Sequence, residues 1–188
     1  MNPSHKELIL GGQRSGKTRR AEAQVAQWLQ QSVNHRAVYV ATAYAHDEEM
    51  RQRIARHQQD RAARVPRMQT VESTAIATVL QTHSQADTAI VVDCLTLWLT
   101  HWLMPWQTAP ATQDAVAAHT ETLLRAIADT QAQLFIVSNE IGLGVVAADP
   151  ATRAFVDALG LLNQRVAAVC NHVTLMAAGL PLALKQEK

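Results

Sequence analysis

The chain has 188 residues, 48% of them apolar, with 17 Lys and Arg against 16 Asp and Glu. That suits one compact domain spanning residues 1–188 and excludes a disordered or fibrous chain. The near-even total conceals an asymmetry, because residues 1–70 hold 12 basic and 6 acidic side chains while residues 71–188 hold 5 and 10.

Short β-rich runs alternate with longer segments of helical period. Strands are predicted at residues 7–12, 37–42, 89–93, 133–139 and 172–178, and helices at about 16–31, 47–63, 74–83, 94–104, 113–131 and 151–170. Residues 104–114 carry two prolines without a clear period and read as a loop, and LPLALK (180–185) reads as a last edge strand. Near-continuous apolar strands separated by helices imply an α/β domain: a mostly parallel central sheet with helices on both faces. No apolar run approaches the ~20 residues of a membrane span, and the run in MNPSHKELILGG is too short for a signal peptide. Cys94 and Cys170, the only cysteines, sit in apolar stretches and read as buried thiols. A cytoplasmic protein is the expectation.

Directly after the first strand stands GGQRSGKT, which fits G-x-x-x-x-G-K-[ST] with Gly11, Gly16, Lys17 and Thr18. Glycines let the backbone of Gly11, Gly12, Gln13, Arg14, Ser15 and Gly16 wrap a polyphosphate with its N–H groups, and the following helix adds its N-terminal dipole. In such a loop Lys17 reaches the β- and γ-phosphates and Thr18 ligates Mg²⁺. AIVVD supplies the expected carboxylate at a strand end, Asp93. Positive charge beside this loop, with few interleaved aromatics, points to a small polyphosphate and away from nucleic acid.

No N-K-x-D motif follows a strand, which disfavours a regulatory GTPase, and Cys94 stands where a motor ATPase would carry a glutamate. A small-molecule kinase or nucleotidyl transferase leads. The alternatives are a plain kinase and a nucleotide-switched assembly module.

Five blocks, LILGGQRSGKT, VYVATA with DEEMRQRIARHQQDR, VVDCLTLWLT, FIVSNEIGLGVV and a helix containing LNQRVA, together resemble one family nearly end to end. It is the bifunctional adenosylcobinamide kinase / adenosylcobinamide-phosphate guanylyltransferase family of cobalamin biosynthesis. The resemblance implies a RecA-like P-loop domain, a homotrimer, ATP or GTP as phosphate donor, GTP as GMP donor, Mg²⁺ as cofactor and a corrinoid, adenosylcobinamide, as acceptor. It also implies a guanylylated histidine, which falls on His57 within RIARHQQDR. His57 lies among five arginines in residues 48–64, with Arg53 and Arg61 one turn to either side and Ile54 and Asp60 on the same face. Neighbouring cations favour the neutral, nucleophilic imidazole.

By the same resemblance Val40, Ala41, Thr42, Gln58, Gln59, Asp60, Arg61, Glu72 and Asp93 join the nucleotide-binding set. For Asp93 two readings stay open, Mg²⁺ and guanosine. Trp98, Trp102 and Trp106 recur every fourth residue; core or subunit packing is preferred over a corrinoid face. Asn139 and Glu140 lie in a glycine-containing turn after a strand and are weaker candidates. His46, His101 and His172 lack partners at metal-ligand spacing, so no zinc site is expected.

Overall fold

A computed structural model describes residues 4–44, 47–106 and 108–187, with Arg53 described through its backbone only. His46 lies outside the described residues. The elements run β1 (Lys6–Gly11), α1 (Lys17–Gln31), β2 (Arg36–Ala41), α2 (Glu48–Arg64), β3 (Met68–Glu72), α3 (Ile76–Thr82) and β4 (Thr88–Asp93), then α4 (Leu95–Leu103), α5 (Gln113–Asp129), β5 (Gln133–Val137), α6 (Pro150–Val169), β6 (His172–Ala177) and β7 (Leu180–Gln186).

The strands form a seven-stranded sheet in the order β3-β2-β4-β5-β1-β6-β7. All pairings are parallel except β6 with β7. The strand period of 2 explains why the inner strands had to be apolar throughout. Leu8, Val38, Val40, Ile90, Val92, Leu134 and Ile136 pack under α3, α4, α5 and α6. Their neighbours Ile9, Ala37, Tyr39, Val91, Phe135 and Val137 pack with Ala21, Val25 and Leu29 of α1 and with Val65, just past α2.

β3 was not foreseen as a strand. MQTVE occupies the sheet edge, where only Met68 and Val71 are half-buried and its other three residues are exposed, so it carries no apolar run. The tryptophan series also breaks at its end. α4 stops at Leu103, leaving Trp98 buried, Trp102 half-buried and Trp106 75% exposed beyond the helix.

Because the strands are parallel, their carboxyl ends share one edge of the sheet. Register places Ala41 opposite both Glu72 and Asp93, and Asp93 opposite Val137. Segments remote in sequence therefore meet beside the loop after β1.

Candidate nucleotide site

The loop from Gly11 to Gly16 turns on backbone that only some residues tolerate. Gly16 sits at φ 100° and Gly11 at φ 149°. A Cβ on Gly11 would stand 2.5 Å from the Met176 carbonyl oxygen and 2.6 Å from Ser15 Oγ, so any side chain there displaces backbone. Arg14, at φ 56°, is the left-handed non-glycine residue of the loop. Gly12, Gln13 and Arg14 are exposed. Ser15 Oγ is buried without a hydrogen-bond partner among the described residues, an orphaned polar atom inside a cradle shaped for an anion.

Lys17 is 8% exposed and folds back on its own loop, donating to the carbonyls of Gly11 (2.9 Å) and Gly12 (2.7 Å). Burial lowers its pKa, and the Asp93 carboxylate opposes that shift. Thr18 Oγ1 donates to Asp93 Oδ2 at 2.6 Å, and the Tyr39 hydroxyl donates to the same oxygen at 2.8 Å. Burial, followed by the Asp93 charge, pushes the Tyr39 phenol well above its usual range. A hydroxyl and a carboxylate held together beside a phosphate cradle are hard oxygen donors, and they fit Mg²⁺.

Thr42 is buried, and its hydroxyl both donates to the Cys94 carbonyl (2.8 Å) and accepts from the Cys94 N–H (2.8 Å). It pins the end of β4, so its side chain has no proton left for a ligand. The Val40 side chain is fully in the core and that of Ala41 is half-buried. Those two positions offer their backbone alone.

α2 starts at Asp47, whose carboxylate caps the Met50 N–H at 2.7 Å. Its arginines divide by face. Arg61 is 5% exposed, lies with its guanidinium 3.8 Å above the Tyr39 ring and donates to Thr70 Oγ1 at 2.9 Å. Arg64 donates to the buried Glu22 of α1 at 2.6 Å. His57, Gln58, Gln59 and Asp60 are exposed. Gln58 donates to Glu72 at 3.1 Å. Gln58, Arg61, Thr70 and Glu72 line a cavity of about 320 Å³ between α2 and β3. Arg61, one of the residues expected at the nucleotide, thus lines this cavity while its guanidinium is held by Tyr39 and Thr70.

Sequence reasoning passed over three participants. Tyr39 looked like one more apolar strand residue. Ser138, at the end of β5, is fully buried with its hydroxyl unpartnered among the described residues. The β6–β7 turn, with Ala178 at φ 52° and Gly179 at φ 81°, donates the Gly179 N–H to the Ser15 carbonyl at 3.1 Å. The Glu140 N–H also reaches Gly11 O at 3.1 Å, so the weaker candidate turn does touch the loop.

Solved structures with this architecture share its fold alone. They include the flagellar accessory protein FlaH from Methanocaldococcus jannaschii (TM-score 0.54, 14% identity, covering 98% of this chain and 80% of that one). A Pyrococcus horikoshii OT3 protein, PH0250, gives a TM-score of 0.58 at 10% identity, covering 100% of this chain and 89% of that one. Among curated proteins, the bifunctional adenosylcobalamin biosynthesis protein CobP of Pseudomonas aeruginosa is 42% identical over 184 residues, covering 97% of this chain and 98% of that protein. Its counterpart CobU of Salmonella typhimurium is 31% identical over 188 residues, with 95% and 98% covered. The family model for cobinamide kinase / cobinamide phosphate guanyltransferase matches residues 7–184, a span that includes the P-loop, α2 and Asp93, and the chain belongs to that family.

Proposed function

We propose that this enzyme performs two successive transfers in one domain. It phosphorylates adenosylcobinamide from ATP or GTP, then transfers GMP from GTP to adenosylcobinamide phosphate through a His57–GMP intermediate, giving adenosyl-GDP-cobinamide. One observation carries the reading: a P-loop whose Thr18 meets Asp93 shares a chain, matched by the family model over residues 7–184, with an exposed imidazole on α2.

In the first transfer the acceptor hydroxyl attacks the γ-phosphorus, its proton is lost and the nucleoside diphosphate leaves. Lys17, now on the Gly11 and Gly12 carbonyls, exchanges those acceptors for phosphate oxygens. Thr18 and Asp93 would hold Mg²⁺, which when bound neutralises charge on the phosphates. In the second transfer a ring nitrogen of His57 attacks the α-phosphorus of GTP, an N–P bond forms and pyrophosphate departs. A phosphate oxygen of the acceptor then displaces the imidazole, breaking the N–P bond and restoring His57. Of the two roles open to Asp93 we assign the metal, because Thr18 is its partner. Glu72, on the rim of the cavity, suits the guanine N1–H and N2–H₂ donors.

The decisive experiment is incubation with α-labelled GTP and Mg²⁺. Wild type should take up an acid-labile, alkali-stable label, and His57→Asn should take up none while still phosphorylating adenosylcobinamide. An unlabelled wild type would leave a plain kinase. Label persisting in His57→Asn would move the nucleophile, with His46 the first to test.

We also propose a homotrimer in the cytoplasm. β7 exposes Leu180, Leu182 and Leu184 at 70%, 57% and 56% on an open sheet edge, an arrangement that soluble proteins cover. Sedimentation of the wild-type chain at monomer mass would overturn it. Both cysteines are free and buried, in keeping with a reducing compartment, and among the described residues no helix is long and apolar enough to cross a membrane.

A further inference from the structure

Tyr39 and Arg61 take no chemical part in either transfer, yet they are buried where α2 meets the phosphate site. Tyr39 is 5% exposed and spans from β2 to Asp93 of β4. Arg61, one helical turn after His57, covers the ring of that tyrosine at 3.8 Å and is fixed from the other side by Thr70 of β3. The hydrogen bonds from Thr18 and Tyr39 both end on Oδ2 of Asp93. Two donors on one carboxylate oxygen fix its orientation better than one, and one of these two belongs to the threonine expected to hold the cation. The tyrosine hydroxyl is therefore the donor that fixes the carboxylate independently of the metal.

We propose that Tyr39 is a positioning residue for Asp93 and that Arg61 clamps it there, so that the helix carrying His57 and the metal-site carboxylate are set by one shared contact. This rests on the reading of Thr18 and Asp93 as the Mg²⁺ residues. A threonine hydroxyl that gives its proton to a correctly oriented Asp93 keeps its lone pairs for a cation. Without the phenol, Asp93 can rotate and the threonine is no longer held. The consequence falls on the response to Mg²⁺ rather than on the phosphate cradle, whose Lys17 and backbone N–H groups are untouched. Losing one hydrogen bond to a charged group costs about tenfold in an equilibrium.

The test is the gain in GDP affinity on adding Mg²⁺, measured by calorimetry on the purified full chain. Tyr39→Phe keeps the ring under Arg61 and removes only the hydroxyl. It should bind GDP without Mg²⁺ as wild type does and lose about tenfold of the gain that Mg²⁺ brings. The Mg²⁺ concentration for half-maximal kinase activity should rise to match. Arg61→Met, which keeps the aliphatic stem and removes the cation, should reduce the same gain by itself. Added to Tyr39→Phe it should reduce it no further, because its hold on Asp93 passes through the phenol. An undiminished Mg²⁺ gain in Tyr39→Phe overturns the proposal, as does an equal loss of GDP affinity with and without Mg²⁺, which marks general damage. Asp93→Asn separates the two levels. If it keeps the full Mg²⁺ gain, the metal reading fails and takes Tyr39 with it. If it loses the gain while Tyr39→Phe does not, only the positioning role fails.

Discussion

The ammonium of Lys17 donates to two carbonyls of the loop it belongs to, so its stem is already ordered beside the cradle and only these acceptors need be exchanged for phosphate oxygens. The cost of ordering that side chain is met on folding, which is the general advantage of preorganisation. Both proposed transfers begin from a bound triphosphate, so Lys17→Ala should lower each by about 100-fold or more. Steady-state assays of the two half-reactions with the same preparation check this, and wild-type-like turnover in either would separate the sites. That Lys17, Thr18 and Asp93 come together was readable in the sequence, because a fixed motif and an apolar strand ending in a carboxylate both constrain position. Tyr39 was not, since one tyrosine inside RAVYVA alternates like any strand residue and nothing local says that its hydroxyl meets Asp93, 54 positions later. The contacts of Arg61 with Tyr39 and Thr70 were hidden for a related reason: helical spacing shows which residues share a face, not which face the sheet will take.

At the scale of elements the strands with continuous apolar runs and the six helices were legible, because burial on both faces leaves a composition signal. β3 was illegible because an edge strand covered on little of its surface has no need of apolar residues. The basic helix α2 shows how far pattern alone reaches. Between Glu48 and Asp60 the described charged side chains are exposed and only Met50 and Ile54 are half-buried, with Arg51 paired to Glu48 on the same helix. Its last turn behaves otherwise, with Arg61 and Arg64 docking it onto Tyr39 and Glu22. A helix anchored at one end presents His57 just before its fixed turn, close enough to inherit that turn's position. The β6–β7 hairpin was foreseen as an edge, but its second task was not. Its turn meets the P-loop through the Gly179 N–H; Gly16 and Gly179 serve there by their positive φ, 100° and 81°, not by clearing space, since a Cβ on Gly16 would stand at an ordinary 3.4 Å from Gly179 Cα and one on Gly179 would meet nothing.

For the molecule as a whole, Glu7 joins the sheet to the helix that follows the P-loop. It lies on β1, near the middle of the sheet, and is 1% exposed. Its carboxylate accepts from Arg20 of α1 at 2.9 Å, from Thr174 of β6, and contacts the His5 ring at 3.3 Å. Burial alone would raise its pKa, but hydrogen bonds from His5 and Thr174 and the charge of Arg20 outweigh it and hold Glu7 at about 2, against an ordinary 4.5. A carboxylate whose folded pKa is depressed stabilises the fold fully above its unfolded value, and that stabilisation is lost as pH falls through the folded value. The window is therefore from about pH 4.5 down to about pH 2, and the linked free energy is about 3 kcal/mol. Glu7→Gln keeps the shape and removes the charge, so at neutral pH it should be less stable than wild type by about that amount. On acidification the wild type loses its advantage and the two urea midpoints should converge across the window. A gap that stays constant from neutral pH down to about pH 2.5 would mean that Glu7 holds the layers together by hydrogen-bond geometry alone, with its charge contributing nothing.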